Sequence, residues 1–496
     1  MKRITMFAIL VALLAMSGEL KSAGAAQSLA ARKPNIILIL TDDQGYGDVG
    51  RHGNPILQTP HLDRLHDEGV RFTDFHVSPT CAPTRSALLS GRHDFKNGVT
   101  HTILERERMS LKTTTIAQVL KTAGYATGIF GKWHLGDEPD YRPNRRGFDE
   151  MFIHGCGGIG QTYPGTCGDA PGNSYFNPVI MHNGVFEKTD GYCTDVFFGQ
   201  AMQWIKTVKG RRPFFAYITP NAPHSPLDVP EQYEKLYADK VSKNTAKFFG
   251  MIHNIDENVG RLLALLREQG IERDTLLIFM NDNGGTAGVQ IWNAGMRGAK
   301  NTPWIGGTRA MSFWRWPGAL KPAAVDAMSA HIDVFPTLAE LAGAKQSAAV
   351  RAQVEGRSLA PLLTNAGAAW PDRIFVRHIG RWPRGANPND FKYVQCGIRN
   401  KRWHLVNDRK ENVKNWELFD LQADPGEKNN VAAANPEVVK MLDAEYDKWW
   451  AEVMPMLVNE DALQPPANPY HEQYWKQYKG PGPNNVPPGT KVTGSR

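Results

Sequence analysis

After Asn35, residues 36–40 form an uninterrupted apolar run, Ile36-Ile37-Leu38-Ile39-Leu40, which passes directly into Thr41-Asp42-Asp43-Gln44-Gly45. A continuous apolar run of this length predicts a strand buried on both faces of a parallel sheet. The pattern recurs. Residues 126–130 lead into Gly131-Lys132-Trp133-His134-Leu135-Gly136, residues 214–218 into Asn221-Ala222-Pro223-His224-Ser225-Pro226, and residues 275–280 into Asn281-Asp282-Asn283-Gly284-Gly285. Residues 311–316 read as a further strand. Helical spacing lies between these runs. One short helix opens at Thr59-Pro60, carries Leu62 and Leu65 on one face and stops at Gly69. Residues 113–123 present Ile116, Val119 and Leu120, with Gly124 past the end. Residues 248–268 carry Ile252, Ile255, Val259, Leu262, Leu263 and Leu266, and residues 331–341 carry Val334, Leu338 and Leu341. Strands alternating with helices predict an α/β fold: a large mixed, mostly parallel sheet sandwiched by helices.

The pattern changes along the second half. Residues 343–371 are Ala-rich and looser, which places a domain boundary there. Beyond it, residues 374–378, 394–399, 402–406 and 416–420 read as short strands. A helix follows over 436–453, with Val438, Leu442, Tyr446 and Trp449 on one face. This predicts a large α/β domain over 33–360 and a smaller C-terminal α+β domain, antiparallel sheet plus helix, over 370–456. Residues 457–496 read as a Pro/Gly-rich tail with no core of its own. Residues 154–194, rich in Gly, Pro, Asn and Tyr, show no clear periodicity and predict a long loop that walls a site. At the N-terminus stand Lys2 and Arg3, an apolar run over 4–15, and Ala23-Gly24-Ala25-Ala26. Together they have the form of a secretory signal over 1–26. Export to a periplasmic or extracellular compartment is expected, and no segment predicts a membrane span.

Composition adds little to this. With 41% hydrophobic and 22% charged residues, the 496-residue chain is ordinary for a globular protein. Removing 1–26 takes Lys2, Arg3, Lys21 and Glu19, so the net charge falls from +7 by two. The remainder is still mildly basic and suited to anionic substrates. No basic-aromatic stripe or zinc-finger spacing points to nucleic acid. Cysteines stand at 81, 156, 167, 193 and 396. Three of them crowd the glycine-rich region, where one local disulfide is expected with its pairing open.

The chemistry concentrates at the strand ends. Asp42, Asp43, Asp282 and Asn283 are oxygen donors in the place where open α/β sheets bind ligands. Adjacent acids could form an Asp-rich turn. Their mutual repulsion is better relieved by a hard cation, calcium with magnesium as the alternative, since zinc would call for His or Cys ligands. Lys132, His134, His224 and Lys300 supply basic groups from nearby loops. Singly each reads as surface or structural, whereas together they suit a tetrahedral anion. Cys81-Ala82-Pro83-Thr84-Arg85 places a thiol at or just before a helix N-terminus, with Arg85 one turn on. A buried small hydrophobe or half of a disulfide are the alternatives for Cys81.

This C-x-P-x-R string, followed by Leu88-Leu89-Ser90-Gly91-Arg92, resembles the signature of the type I sulfatases, of the alkaline phosphatase superfamily. T-D-D-Q, G-K-W-H-L-G, A-P-H-S-P, N-D-N-G, Lys300-Asn301-Thr302 and the stretch from Glu417 to Glu427 resemble further motifs of the family in order, over roughly residues 33–455. The resemblance implies an arylsulfatase-type sulfuric ester hydrolase in which Cys81 is converted by a maturation enzyme to formylglycine. The hydrate would attack sulfur and expel the alcohol, with Asp282 accepting the attacking hydroxyl's proton. His134 would then deprotonate the remaining hydroxyl so that sulfate leaves. Lys132 and Arg85 would hold the hydrate, and His224 and Lys300 would bind sulfate, one of them protonating the leaving oxygen. Residue 81 would also ligate the metal, with Asp42, Asp43, Asp282 and Asn283. A phosphodiesterase or phosphonate monoester hydrolase of the same superfamily is the nearest rival, and a non-catalytic glycan-binding protein a more distant one. For an exported sulfatase the substrate expected is a sulfated carbohydrate. His101, His154, Asp228 and Arg309, with Gln161 and Tyr163, are candidates for its pocket.

Overall fold

The structure is a computed structural model that describes residues 29–30, 32–104, 106–163, 167–383, 385–457 and 467–480. The signal-like segment over 1–26 lies outside these residues. Strands are numbered in chain order: β1 (Asn35–Thr41), β2 (Val70–Phe72), β3 (Phe75–His76), β4 (Ala126–Lys132), β5 (Glu150–His154), β6 (Val179–His182), β7 (Val185–Lys188), β8 (Phe214–Thr219), β9 (Thr275–Asn281), β10 (Ser312–Arg315), β11 (Ala323–Val325), β12 (Ser329–Ala330), β13 (Phe375–His378), β14 (Cys396–Arg399), β15 (Trp403–Asn407) and β16 (Glu417–Asp420). Ten of them form one sheet in the order β11-β2-β10-β9-β1-β8-β4-β5-β6-β7. Its centre is parallel: β1 runs between β9 and β8, and β4 between β8 and β5. The flanks are mixed, because β10 joins β9 and β6 joins β5 in antiparallel pairs.

The central strands are apolar on both faces because helices cover both. Ile36, Leu38 and Leu40 belong to one core, and Ile37 and Ile39 to the other. The helix Lys243–Glu268 lays Ile255, Val259, Leu262, Leu263 and Leu266 on the second face. With it packs the helix Cys193–Val208, through Phe197, Phe198, Ala201 and Ile205. The sequence reading left that helix unassigned. On the first face lie the short helix Ile116–Lys121, capped reciprocally by Thr115 and Gln118, and the helix Val334–Leu341. The helix Cys81–Ser90 differs from all of these in having every residue buried. Among the described residues no helix is long and apolar enough to cross a membrane.

Two expectations are corrected. The 154–194 segment is not one structureless loop, since β6 and β7 form a hairpin there that extends the sheet. Its turn is Asn183-Gly184, both with positive φ, the two-residue signal that fixes a tight hairpin. Nor is the tail without a core. Pro469–Tyr478 is a helix capped by the Asn468 side chain, and its Tyr470 is buried in the first core. Its Gln477 side chain accepts from the Phe186 amide at 2.8 Å and donates to the Phe186 carbonyl at 2.7 Å. The helix thereby covers the free edge of β7. The smaller C-terminal sheet is antiparallel in the order β13-β14-β15-β16, with the helix Pro436–Val453 packed on it through Leu442 and Tyr446.

Candidate active site

The five parallel strands at the centre of the sheet deliver residues to one end. β1 delivers Asp42 and Asp43, β4 Lys132 and then His134, β5 His154, β8 the loop to His224, and β9 Asp282 and Asn283. Into this rim the helix Cys81–Ser90 inserts its first turn. Lys300 arrives from the loop after β9. That loop can approach because Gly45 and Gly285 lie backbone to backbone; a Cβ on Gly45 would stand 2.8 Å from the Gly285 Cα.

Acids and bases alternate in the cluster. Lys132 Nζ lies 2.6 Å from Asp42 Oδ2, Lys300 Nζ 2.5 Å from Asp43 Oδ1, and Arg85 Nη2 2.9 Å from Asp282 Oδ2 and 4.0 Å from Asp42 Oδ1. Arg85 also donates to the Lys132 carbonyl and to Thr219 Oγ1, which anchors the buried guanidinium on two strands. Asn283 Nδ2 donates to Asp43 Oδ1 at 3.0 Å, and the Asp43 amide donates to Asp282 Oδ1 at 3.2 Å. Asp43 and His134 both hold left-handed backbone, with φ of 68° and 58°. Strain of this kind tends to collect at functional sites. Burial raises the carboxyl of Asp43, but Lys300, His224 and Lys132 outweigh it and hold it far below the usual carboxylate range. Burial and the neighbouring Asp42 push Asp282 the other way. Lys300 keeps its proton because Asp43 overcomes the cost of burying the ammonium.

Breaking the Arg85–Asp282 pair is expected to cost about 3–5 kcal/mol, because an uncompensated carboxylate remains in a dry interior. Arg85→Ala should therefore lower both the urea midpoint and the activity. A variant within about 0.5 kcal/mol of wild type would show that Asp282 is paired by other means.

The two loop histidines have defined tautomers. His134 Nε2 lies 2.7 Å from the Thr102 carbonyl, which can only accept, so Nε2 carries the proton. Its Nδ1, buried with no hydrogen-bond partner, is a free base. His224 Nδ1 likewise donates to the Ser225 carbonyl at 2.7 Å, leaving Nε2 free 3.9 Å from Asp43 Oδ2. Burial keeps both neutral, reinforced at His134 by Lys132 and opposed at His224 by Asp43; His224 falls to about 3.

Two buried oxygens in the cluster, Asp42 Oδ1 and Asn283 Oδ1, have no hydrogen-bond partner. Asp42, Asp43 and Cys81 each present a ligand atom within 4.8 Å of the others. Orphaned, buried, hard oxygens are what a divalent cation would satisfy. The three carboxylates are already matched by Arg85, Lys132 and Lys300, so a dication would leave the centre positive and attractive to an anion.

The pocket candidates divide. His154 is buried at the end of β5 beside Lys132, its Nε2 unpartnered, and His101 lies next to Thr102 at the rim. Gly157 sits against the His134 ring and the Gln161 amide, which brings the glycine-rich wall to the site. Tyr163 lies close enough to Arg381 for the two to interact electrostatically. Arg309 stands apart, donating to the Thr73 carbonyl and lying over the Tyr46 ring at 4.4 Å. Asp228 faces Lys247 at 3.9 Å, outside the charged cluster. In the wall, the buried Sγ atoms of Cys156 and Cys167 lie 2.7 Å apart, so a local bridge, if formed, joins these two. The sequence reading overlooked Thr102 and Thr219, which carry no charge to mark them, and Arg381, which belongs to the second domain.

The sulfatase family model matches residues 34–344, more than half of the chain. The protein belongs to the sulfatase family. A second model, the C-terminal part of N-sulphoglucosamine sulphohydrolase, matches residues 308–450. Arylsulfatase J of Mus musculus is 29% identical over 479 residues, which covers 88% of this chain and 79% of the relative. N-acetylgalactosamine-6-sulfatase of Canis lupus familiaris is also 29% identical, covering 85% of this chain and 86% of the relative. Among solved structures, Ps i-CgsB in complex with k-i-k-neocarrahexaose superposes with a TM-score of 0.74 at 28% identity, covering 90% of this chain and 98% of that one. A phosphonate monoester hydrolase of Agrobacterium radiobacter, 20% identical with a TM-score of 0.59 over 86% of this chain and 96% of its own, shares the fold. This sulfatase is a sulfuric ester hydrolase, and its chemistry is the hydrolysis of sulfate esters.

Proposed function

We propose that this sulfatase is exported and removes sulfate from a sulfated carbohydrate, using formylglycine made from Cys81 and a divalent cation, calcium or magnesium. The observation that carries this reading is the meeting of Cys81, three carboxylates and three fixed cations at one sheet end. Burial pushes the Cys81 thiol up, with Asp42 and Asp282 adding to it against Lys132 and Lys300. A thiol in that state is a poor nucleophile, which favours conversion of the side chain over direct thiolate attack. Formylglycine, once made, would supply a geminal hydroxyl nucleophile. The cation would be held by Asp42, Asp43, Asp282, Asn283 and residue 81 and would polarise a sulfate oxygen.

The remaining roles belong to this chain's own side chains. Arg85 and Lys132, whose charges act on residue 81, would hold its hydrate. Lys300 and His224 bind the sulfate oxygens, and an entering anion favours the protonated form of His224, whose Nε2 would then donate to the departing alcohol. His134 takes a proton at Nδ1, the tautomer being held by Thr102. A carbohydrate substrate is supported by the neocarrahexaose bound to Ps i-CgsB and by the sugar sulfatases among the relatives. Export is supported by the signal-like residues 1–26 and would place the protein in a periplasmic or extracellular compartment.

The rival within the superfamily is tested by rates on an aryl sulfate and on an aryl phosphate diester, with protein made beside a maturation enzyme. The sulfate should be cleaved with the higher kcat/KM. A preference for the phosphate diester would overturn the reading.

A further inference from the structure

The second domain packs against the loop whose Thr102 carbonyl holds His134. Beyond β13 the chain presses its residues 379–383 against the loop 100–106. Gly380 has φ +69°, and a Cβ there would stand 2.0 Å from the Thr100 carbonyl oxygen. Only glycine allows that approach. Arg106 fastens the same segment, donating to the Trp382 carbonyl at 2.6 Å and the Pro383 carbonyl at 3.0 Å while lying over the Trp382 ring at 5.0 Å. Between these two fixed points stands Arg381, exposed at the rim.

Arg381 is unlike the other cross-domain cations. Arg399 and Lys401 reach Asp74, and Arg373 binds Asp333. Arg381 has one long contact, Nη2 to Thr102 Oγ1 at 3.4 Å, and no carboxylate among the described residues pairs with it. Thr102 is also the residue whose carbonyl holds His134, so the guanidinium stands one residue from the reaction centre without entering it. Its charge is felt at Cys81, Asp43, Tyr163 and His101. A guanidinium held at a half-desolvated rim with its fork unfilled is a receptor for a planar or tetrahedral anion. The transferred sulfate already has Lys300 and His224, deeper in the site. The anion that Arg381 faces is therefore another one.

We propose that Arg381 binds a second anionic group of the substrate, a sulfate or carboxylate carried on the sugar beyond the scissile ester, with Tyr163 and His101 beside it. This rests on the carbohydrate sulfatase reading above and names what that carbohydrate must carry. It makes Arg381 a specificity determinant contributed by the C-terminal domain.

The test uses the full, matured chain and three synthetic disaccharide esters: one with a single sulfate, one with a second sulfate on the neighbouring sugar, and one with a carboxylate there. Wild type should prefer one or both of the dianionic probes. In Arg381→Gln, kcat/KM on the preferred probe should fall about 10- to 100-fold further than on the monosulfated one, mainly through KM. Arg381→Lys should recover part of that difference. A loss confined to the disulfated probe assigns sulfate, and one confined to the carboxylate probe assigns carboxylate. Equal losses on all three overturn the proposal and leave the sulfatase reading standing. A wild type that cleaves aryl sulfates but none of the three sugars overturns the carbohydrate reading, and the proposal with it.

Discussion

Cys81→Ala is expected to reduce kcat/KM on an aryl sulfate by about 10⁴-fold or more, the scale of removing a nucleophile outright, while the protein remains folded. The two halves of this expectation have separate causes. Every residue of the helix Cys81–Ser90 is buried, and its position is fixed by Arg85, which is bonded to Asp282, Thr219 and the Lys132 carbonyl. None of these contacts involves the Cys81 side chain. Losing its sulfur should therefore cost about 1 kcal/mol, typical of a single buried substitution. The proposed nucleophile, by contrast, is that side chain itself. Mass spectrometry of the wild-type peptide spanning Ser78 to Arg92 completes the measurement, with formylglycine expected at residue 81. Activity retained in Cys81→Ala, or an unmodified Cys81 in fully active protein, would remove residue 81 from the mechanism.

Removal of the proposed divalent ion should have an effect of similar size. Prolonged chelation is expected to bring turnover to background, and added calcium or magnesium to restore it, the more effective ion identifying the native one. A second readout is independent of turnover. An ion that binds only the folded chain stabilises it by ~2.7 kcal/mol at a hundredfold excess over its Kd, so the thermal midpoint should rise with added metal. The physical basis is the pair of orphaned oxygens, Asp42 Oδ1 and Asn283 Oδ1, buried among groups whose charges already balance. Asp43→Asn should weaken the response, since it removes charge from the strained residue that faces Lys300, His224 and Asn283. A metal-free protein with full activity and an unchanged midpoint would sink the assignment.

The cross-domain segment gives these two results a context. The proposed catalytic groups gather at the C-terminal ends of the central strands and on the first turn of the helix Cys81–Ser90, whereas the rim is built from loops of both domains, 100–106 and 379–383, that hold each other. Such an arrangement separates the chemistry from the choice of substrate. Substitutions at the strand ends should change kcat, and those at Arg381 should change which sulfate ester is accepted.

The sequence by itself determined the central fold and the chemical character of the site. Continuous apolar runs such as 36–40 can be satisfied only by burial on both faces, and a parallel sheet puts all their C-terminal ends at one edge. The acids and bases that follow those runs had therefore to meet. Local signals were also sufficient at the Asn183-Gly184 hairpin and the helix Cys193–Val208, although a Gly-rich surrounding hid them from the reading of periodicity. Tertiary structure alone decided the rest. Arg309 and Asp228 have the right charge in nearby sequence, but a side chain's partner depends on what the fold places opposite it: the Thr73 carbonyl and the Tyr46 ring for one, Lys247 for the other. Arg381 lies 300 residues from Cys81 in sequence, and no pattern along the chain records that Gly380 packs on Thr100. The Pro469–Tyr478 helix is marginal on its own and forms where Phe186, Arg142 and the first core receive it. Patterning acts over a few residues and specifies elements. The pairing of distant loops is a property of the packed molecule, and the role proposed for Arg381 rests on it.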